Sequence, residues 1–207
     1  YGYVCEGIFR TQEEIDNSCS QIWGAVPGDL KYADINNDNV VDQSDRISLG
    51  STFPKINFGL RLNCEYRNFD LTMLMQGAGM VKGVTAGEIS QAFMNGKVTE
   101  DWLDRWTPNN INASYPRLTL SSSSRNYMTS SFWVQNASYL KMRNLQIGYT
   151  IPKHLLTNWG ISNLRLYCSI DNLFTITNFK GLDPEMVTSS TLYPLTRNYS
   201  FGVNLSF

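Results

Sequence analysis

The sequence is short of charge. Asp, Glu, Lys and Arg make up 17% of its 207 residues, against roughly a quarter in ordinary soluble domains. The formal net charge is −1, so no basic excess exists to neutralise phosphates, and bulk charge excludes a nucleic-acid partner. His154 is the one histidine, and no serine sits in a nucleophile motif. Asp101 and Asp104 lie three apart beside tryptophans, the usual arrangement of a solvated helix face. Nothing here has the geometry and roles of a catalytic site, so no enzyme is expected. No apolar run reaches 18 residues, which excludes a membrane-spanning helix. The opening "YGYVCEGIFR" has neither the basic start nor the apolar core of a signal peptide, and it has no initiator Met. It reads as a mature fragment or the back end of a longer protein. The cysteines Cys5, Cys19, Cys64 and Cys168 are spaced by 14, 45 and 104 residues, which matches no zinc or redox motif. Cys64 and Cys168 fall inside apolar alternation, where Cys acts as a small hydrophobe. A Cys5–Cys19 disulfide stays open for an oxidising compartment.

What the sequence has instead is aromatic residues, at 13%, and runs of strict period-two alternation. In 56–66, Ile56, Phe58, Leu60, Leu62, Cys64 and Tyr66 share one face. In 68–77, Phe69, Leu71, Met73 and Met75 do the same, and only Arg67 and Asn68 separate the two runs, as in a tight hairpin. Leu145, Ile147, Tyr149 and Ile151 alternate within 138–151. Leu140 and Met142 have the opposite parity, which predicts a bulge near Arg143. Two more runs occupy 162–174 and 196–207.

About ten residues is the length a tilted strand needs to cross a bilayer. A soluble β-sandwich also alternates. Three features favour the membrane. The polar faces are rich in Asn, Ser, Gly and Arg, as a water-filled lumen requires. Tyr66, Phe69, Tyr139, Tyr149, Tyr199 and Phe207 sit near run ends, as an interfacial girdle would place them. Connections alternate between short (67–68, 152–161) and long (78–137, 175–195). Outer-membrane barrels have short periplasmic turns and long external loops, so 56–66 descends, 68–77 ascends, 138–151 descends, 162–174 ascends and 196–207 descends. Five strands cannot close a barrel, because small ones use eight, and open edges do not survive in lipid. The expected fold is therefore all-β, an antiparallel transmembrane barrel segment completed by strands outside this chain. The expected division is an external loop region at 1–55, a hairpin at 56–77, a long external loop at 78–137 and three strands at 138–207.

The blocks "PGDLKYADINNDNVVDQSDRISLGSTFPKINFGL", "YRNFDLTMLMQG", "DRWTPNNINASYPRL", "SFWVQNASYLKMRNLQIGYTIPK" and "LRLYCSIDNLFTITNFKGLDPE", followed by a final Phe, occur in an order that resembles the SusC/RagA family. These are TonB-linked outer-membrane transporters of Bacteroidetes. The similarity runs from about Gly7 to Phe207. It implies a 22-stranded barrel of which this chain is the last five strands, with a plug domain that this chain lacks. It also implies TonB-driven import of oligosaccharides or peptides, and a SusD-type surface lipoprotein as lid. Outer-membrane lipid is then a further partner. Asn37 and Asn39 stand where the family's acidic loop usually has Gly, and the four cysteines are not family features.

Within the first block, Asp34, Asn36, Asp38, Asp42 and Asp45 take positions 1, 3, 5, 9 and 12 of an EF-hand-like loop, with the Val40 carbonyl at position 7. Asn39 fills position 6, where a left-handed residue is needed. This spacing predicts a structural calcium ion. The alternative is an ion-free turn in which Asp and Asn bond their own backbone. Trp102 and Trp106, four apart on an expected short helix, are candidate substrate contacts through their faces; burial is the commoner fate of tryptophan. A competing assignment for the whole chain is a soluble, calcium-stabilised β-domain of a cell-surface carbohydrate-binding or adhesion protein.

Overall fold

The computed structural model describes residues 1–85, 89–93, 98–121, 124–187 and 195–207, with backbone alone at Asn158. In chain order its elements are β1 (Cys5–Ile8), α1 (Gln12–Asp16), β2 (Leu30–Tyr32), β3 (Ile56–Tyr66), β4 (Phe69–Gly79), β5 (Lys82–Val84), β6 (Val134–Asn136), β7 (Tyr139–Thr150), α2 (Lys153–Leu156), β8 (Asn163–Thr177) and β9 (Asn198–Ser206). They divide into two compact units. A loop unit comprises 1–52, 82–136 and 179–192; a sheet unit comprises 53–81, 137–178 and 193–207.

The sheet unit is one antiparallel sheet in the order β3-β4-β7-β8-β9. Its strands are the five alternating runs, and the hairpin turns at Arg67, whose φ is 55°. Pairing aligns Leu62 with Met73, Met73 with Leu145, Leu145 with Ile170 and Ile170 with Tyr199, so one row of apolar side chains crosses every strand. The bulge predicted at Arg143 is present. β7 carries one residue more than β4 between Leu145 and Met142, and β8 carries one more again, with Asn172 at φ 53°. The bulge reverses the parity of β7, which keeps Leu140 and Met142 on the apolar face. It also moves Tyr139, paired with Ala78 and Thr177, to the polar face. That corrects the expectation that Tyr139 belongs to the aromatic girdle.

The loop unit has a core of its own. β1 and β2 pair through Cys5–Tyr32 and Ile8–Leu30. Tyr3, Leu30, Tyr32 and Val41 pack together, with Cys5, Cys19 and Ile22 against them. A second cluster joins Ala92, Trp102 and Trp133. Several of the polar groups buried in this unit are bonded, though the indole N–H groups of Trp102 and Trp106 find no acceptor among the described residues. Asn126 Oδ1 accepts from Leu30 N–H at 2.8 Å, and its amide donates to Asp29 at 2.9 Å. Asp29 also accepts from Arg117 Nε at 2.6 Å. Arg125 donates to Gly24 O, Gln21 Oε1 and Leu30 O. Burying such groups is tolerable only with this pairing. α1 starts where Thr11 caps Glu14 N–H, with Glu13 and Glu14 in its first turn.

All four cysteines are free thiols. Cys5 lies against the core and donates to Gly7 O at 3.3 Å. Burial pushes its pKa up to about 11, so at neutral pH it carries little of the reactive thiolate.

Candidate functional site: a two-faced sheet and a hydrogen-bonded acidic loop

The sheet has two chemically opposed faces. On the apolar face lie Phe58, Leu60 and Leu62 of β3, Leu71, Met73 and Met75 of β4, Leu145 and Ile147 of β7, Leu166 and Ile170 of β8, and Phe201 and Val203 of β9. No charged side chain interrupts it. It is also open: Leu60 is 53% exposed and Phe201 82%. Phe58 lies across Gly77 so closely that a Cβ there would overlap the ring. Phe69 and Tyr149 meet with ring centroids 4.6 Å apart at the hairpin end.

On the other face stand Arg61, Asn63, Glu65, Asp70, Thr72, Gln146, Arg165, Ser169 and Asp171. Arg165 grips Asp70 with two bonds, Nε to Oδ1 at 2.8 Å and NH2 to Oδ2 at 2.5 Å. The two residues belong to β8 and β4, with β7 between them. Gly148 is the intervening residue, and a Cβ there would collide with both carboxylate oxygens and the guanidinium. Glycine thus makes the three-strand bridge possible. A bidentate, partly shielded pair is stronger than a simple surface ion pair. Asn144 bonds Asp171 at 2.7 Å and Ser169 at 2.9 Å. Alternation alone puts Asp70 and Arg165 on the polar parity of their runs but does not pair them. The available signal was that both share the polar parity with a glycine on the strand between.

The acidic loop closes through its own backbone. Asp34 Oδ1 accepts from Asn37 N–H at 2.7 Å, and Oδ2 from Asn39 N–H at 2.7 Å. Asp38 accepts from Val40 N–H and Asp42 from Ser44 N–H. Asn39 is left-handed, φ 66°, as position 6 demands, and so is Asn37 at 61°. Asp45, at position 12, is fully buried. It accepts from Ile35 N–H at 2.7 Å and Asp42 N–H at 2.8 Å, completing a capping box. Burial pushes the Asp45 carboxyl up, but the N–H groups of Asp42, Ile35 and Asn36 outweigh it and hold it below the usual carboxylate range. Among the described residues, no three His, Cys, Asp or Glu side chains converge as a metal centre. Backbone N–H groups of the loop engage its carboxylates throughout.

Trp102 and Trp106 are not paired on a helix face. Glu100–Asp104 is a 3-10 turn, which has three residues per turn and does not stack i with i+4; Arg105 is already extended. Trp102 is 1% exposed, its ring set against Tyr115, Tyr127 and Trp133. Its faces serve the core of the loop unit and present nothing to a ligand. Trp106 is half-buried and covers Gly28. Lys180 Nζ, 2.9 Å away, holds the Asp101 carboxyl below its usual range, and Ser114 and Asn110 do the same for Asp104. Neither has the raised pKa of a general acid.

No family model matches the sequence. Among curated proteins, the chain is 28% identical over 223 residues to TonB-dependent receptor P3 of Formosa agariphila, an alignment covering 100% of this chain and 22% of the receptor. It is 27% identical over 216 residues to TonB-dependent receptor P26 of the same organism, covering 97% and 22%. It is 23% identical over 211 residues to TonB-dependent receptor SusC of Bacteroides thetaiotaomicron, covering 100% and 20%. Among solved structures, the RagAB peptide transporter superposes with a TM-score of 0.74 at 22% identity, covering 100% of this chain and 22% of that one. The RagAB peptide importer in its open-open state gives 0.72 at 22%, with the same coverage. The resemblance drawn from the five sequence blocks is borne out across the whole chain, and the fold is that of a piece of such a barrel. The chain spans about a fifth of the length of these curated relatives.

Proposed function

We propose that this chain is the C-terminal part of the barrel wall of a TonB-driven outer-membrane importer of the SusC/RagA kind. The observation that carries the proposal is the uncharged, exposed apolar face that runs unbroken across five strands. An 11-residue strand such as β3 is ~37 Å long at 3.4 Å per residue, and at the usual tilt it spans the ~25 Å apolar band of an outer-membrane barrel. The opposite face, with its Asn, Ser, Thr and bridged Asp70–Arg165, suits a water-filled lumen. Strands β3 and β9 pair on one side only, so further strands must complete the ring. In this reading 1–55 and 78–137 are external loops, and 67–68 and 152–161 are periplasmic turns. The plug, the TonB complex, a SusD-type lipoprotein and a glycan or peptide substrate are the partners of the whole transporter.

A soluble, cell-surface β-domain would have to cover the apolar face with a second layer. The test is the behaviour of the full-length parent. It should partition into outer-membrane fractions and need detergent to stay monodisperse; a parent that is monodisperse in buffer alone sinks the proposal. The proposal extends to a structural calcium ion in the acidic loop. The ligand spacing and the left-handed Asn39 support it, and the loop carboxylates retain lone pairs beyond those that accept N–H groups.

A further inference from the structure

The short connection between β7 and β8 is more than a turn. Backbone hydrogen bonds bring four segments to one rim of the sheet: Thr150 N–H to Asn68 O at 2.8 Å, Ile151 N–H to Leu164 O at 2.8 Å, and Ser162 N–H to Ser206 O at 2.8 Å. On this rim α2 and a following 3-10 turn, Thr157–Trp159, form a small helical knob. Leu156 is buried, whereas Leu155 is 60% exposed and Trp159 77%. Lys153 and His154 are exposed on the same knob. The stretch 149–164 contains no Asp or Glu. Across the hairpin turn, Arg67 stacks on Tyr66, its guanidinium 5.4 Å from the ring centroid. The nearest acids, Glu65 and Asp70, have the parity of the polar face, and Asp70 is committed to Arg165.

We infer that this knob is a membrane foot: Trp159 and Leu155 enter the headgroup layer of the leaflet beneath, while Lys153 and Arg67 meet phospholipid phosphates. The inference rests on the barrel reading, which places this rim at the periplasmic side. It goes beyond that reading because a turn in a barrel need only be polar and short. Four features select a lipid surface as the occupant. The knob exposes a tryptophan and a leucine side by side in sequence with cations, the composition of an interfacial anchor. Its local charge is of one sign and opposite to that of anionic headgroups. The rim continues the open apolar face, at the Phe69–Tyr149 aromatic pair. Arg67 and Lys153 have long stems that can lie along apolar surface while their charges reach phosphate.

The experiment uses the full-length parent with its native cysteines replaced, reconstituted into vesicles of phosphatidylcholine alone or mixed with phosphatidylglycerol. An environment-sensitive fluorophore is placed at Trp159→Cys, at Leu145→Cys near mid-strand on the apolar face and at Arg61→Cys on the polar face. Quenching is read with lipids carrying a nitroxide near the headgroup or deep in the acyl chain, and with iodide in water. The foot predicts that the label at 159 is quenched best by the headgroup nitroxide and is shielded from iodide. It also predicts that phosphatidylglycerol increases this quenching, and that Lys153→Glu with Arg67→Glu removes at least half of it. A label at 145 quenched by the deep nitroxide, with the label at 159 open to iodide, overturns the foot and leaves the barrel standing. Iodide access at 159 that closes only when a periplasmic protein is added also overturns it. If no nitroxide quenches 145, the barrel reading itself has failed.

Discussion

Trp102 in the loop unit is 1% exposed, and Phe201 in the sheet unit is 82% exposed, although both are large aromatics. The loop unit follows the water-soluble rule. Its core aromatics turn inward, Tyr3 against Tyr32 with ring centroids 5.2 Å apart and Trp133 against Phe132 at 4.7 Å. Many of its buried polar groups are tied to one another, as Asn126, Asp29 and Arg117 are. The sheet unit inverts that rule, with its apolar side chains outward and its ion pair on the opposite face. The same hydrophobic effect acts on both. The difference lies in what each expects as surroundings, water around the loops and hydrocarbon beside the sheet.

The largest test of this contrast is in the loop unit. Trp102→Ala removes the centre of the aromatic cluster and should cost ~3–5 kcal/mol of local stability. In the full-length parent it should appear as lost hydrogen-exchange protection at Tyr115, Tyr127 and Trp133. A variant that keeps its protection but loses substrate affinity would return Trp102 to the role of ligand contact. Next is the sheet. Leu145→Arg puts a charge on the apolar face near mid-strand and should cost ~2–4 kcal/mol of barrel stability if that face meets lipid. Gln146→Arg, one residue along and on the other face, should cost little. Equal effects of the two, measured by urea unfolding in lipid, would mean that the faces do not meet different solvents.

The two units were also unequally legible in the sequence. A strand in the wall carries its environment in its parity, so β3, β4, β7 and β9 were placed to within two residues at each end. Even the bulge at Arg143 showed as a parity switch. β8 runs on to Thr177 because Thr175 and Thr177 extend the polar parity that the reading stopped short of. The loop-unit core left no such trace. Tyr3, Leu30, Tyr32 and Val41 come from separate segments, and β1 and β2 are four and three residues long, too short for a period to register. Asn126 and Arg125 look like loop surface until their partners Asp29, Gln21 and Leu30 are brought beside them. The acidic loop was legible as a turn with left-handed Asn39, but the burial of Asp45 was not. Its position 12 marked it as a candidate ligand, and its role as a cap left no trace in the spacing.

That cap supplies the third test, smaller than the first two. Asp45→Asn keeps the shape but removes one of the acceptors that hold the Ile35, Asn36 and Asp42 N–H groups, at a cost of ~1–3 kcal/mol to the loop. The sign of its pH dependence follows from the lowered pKa. The stabilisation is full above the ordinary carboxylate range near ~4, and it is lost as pH falls through the depressed folded value. Hydrogen-exchange protection across 34–45, taken relative to the intrinsic rate at each pH, should therefore fall on acidification in the parent protein. The acid-dependent part should be absent in Asp45→Asn; if both proteins lose protection alike, another group controls the loop.

Calcium gives the smallest expected effect, and it asks whether the loop unit depends on its medium as the sheet does. External calcium modules bind with dissociation constants of ~0.1–1 mM. At ~1 mM calcium such a site adds only ~0.4–1.4 kcal/mol to the folded loop. The hydrogen-bonded turn of Asp34, Asp38 and Asp42 is already closed, so the ion would tighten the loop and not create it. Calcium, and not magnesium at the same concentration, should slow exchange at 34–45 by about two- to ten-fold, which is the same free energy read as a rate ratio. Asp38→Ala should abolish that response and leave exchange in the Trp102 cluster unchanged. Identical exchange with calcium, magnesium or chelator would show that the N–H groups of Asn37, Asn39 and Val40 are the only cations, in effect, that these carboxylates hold.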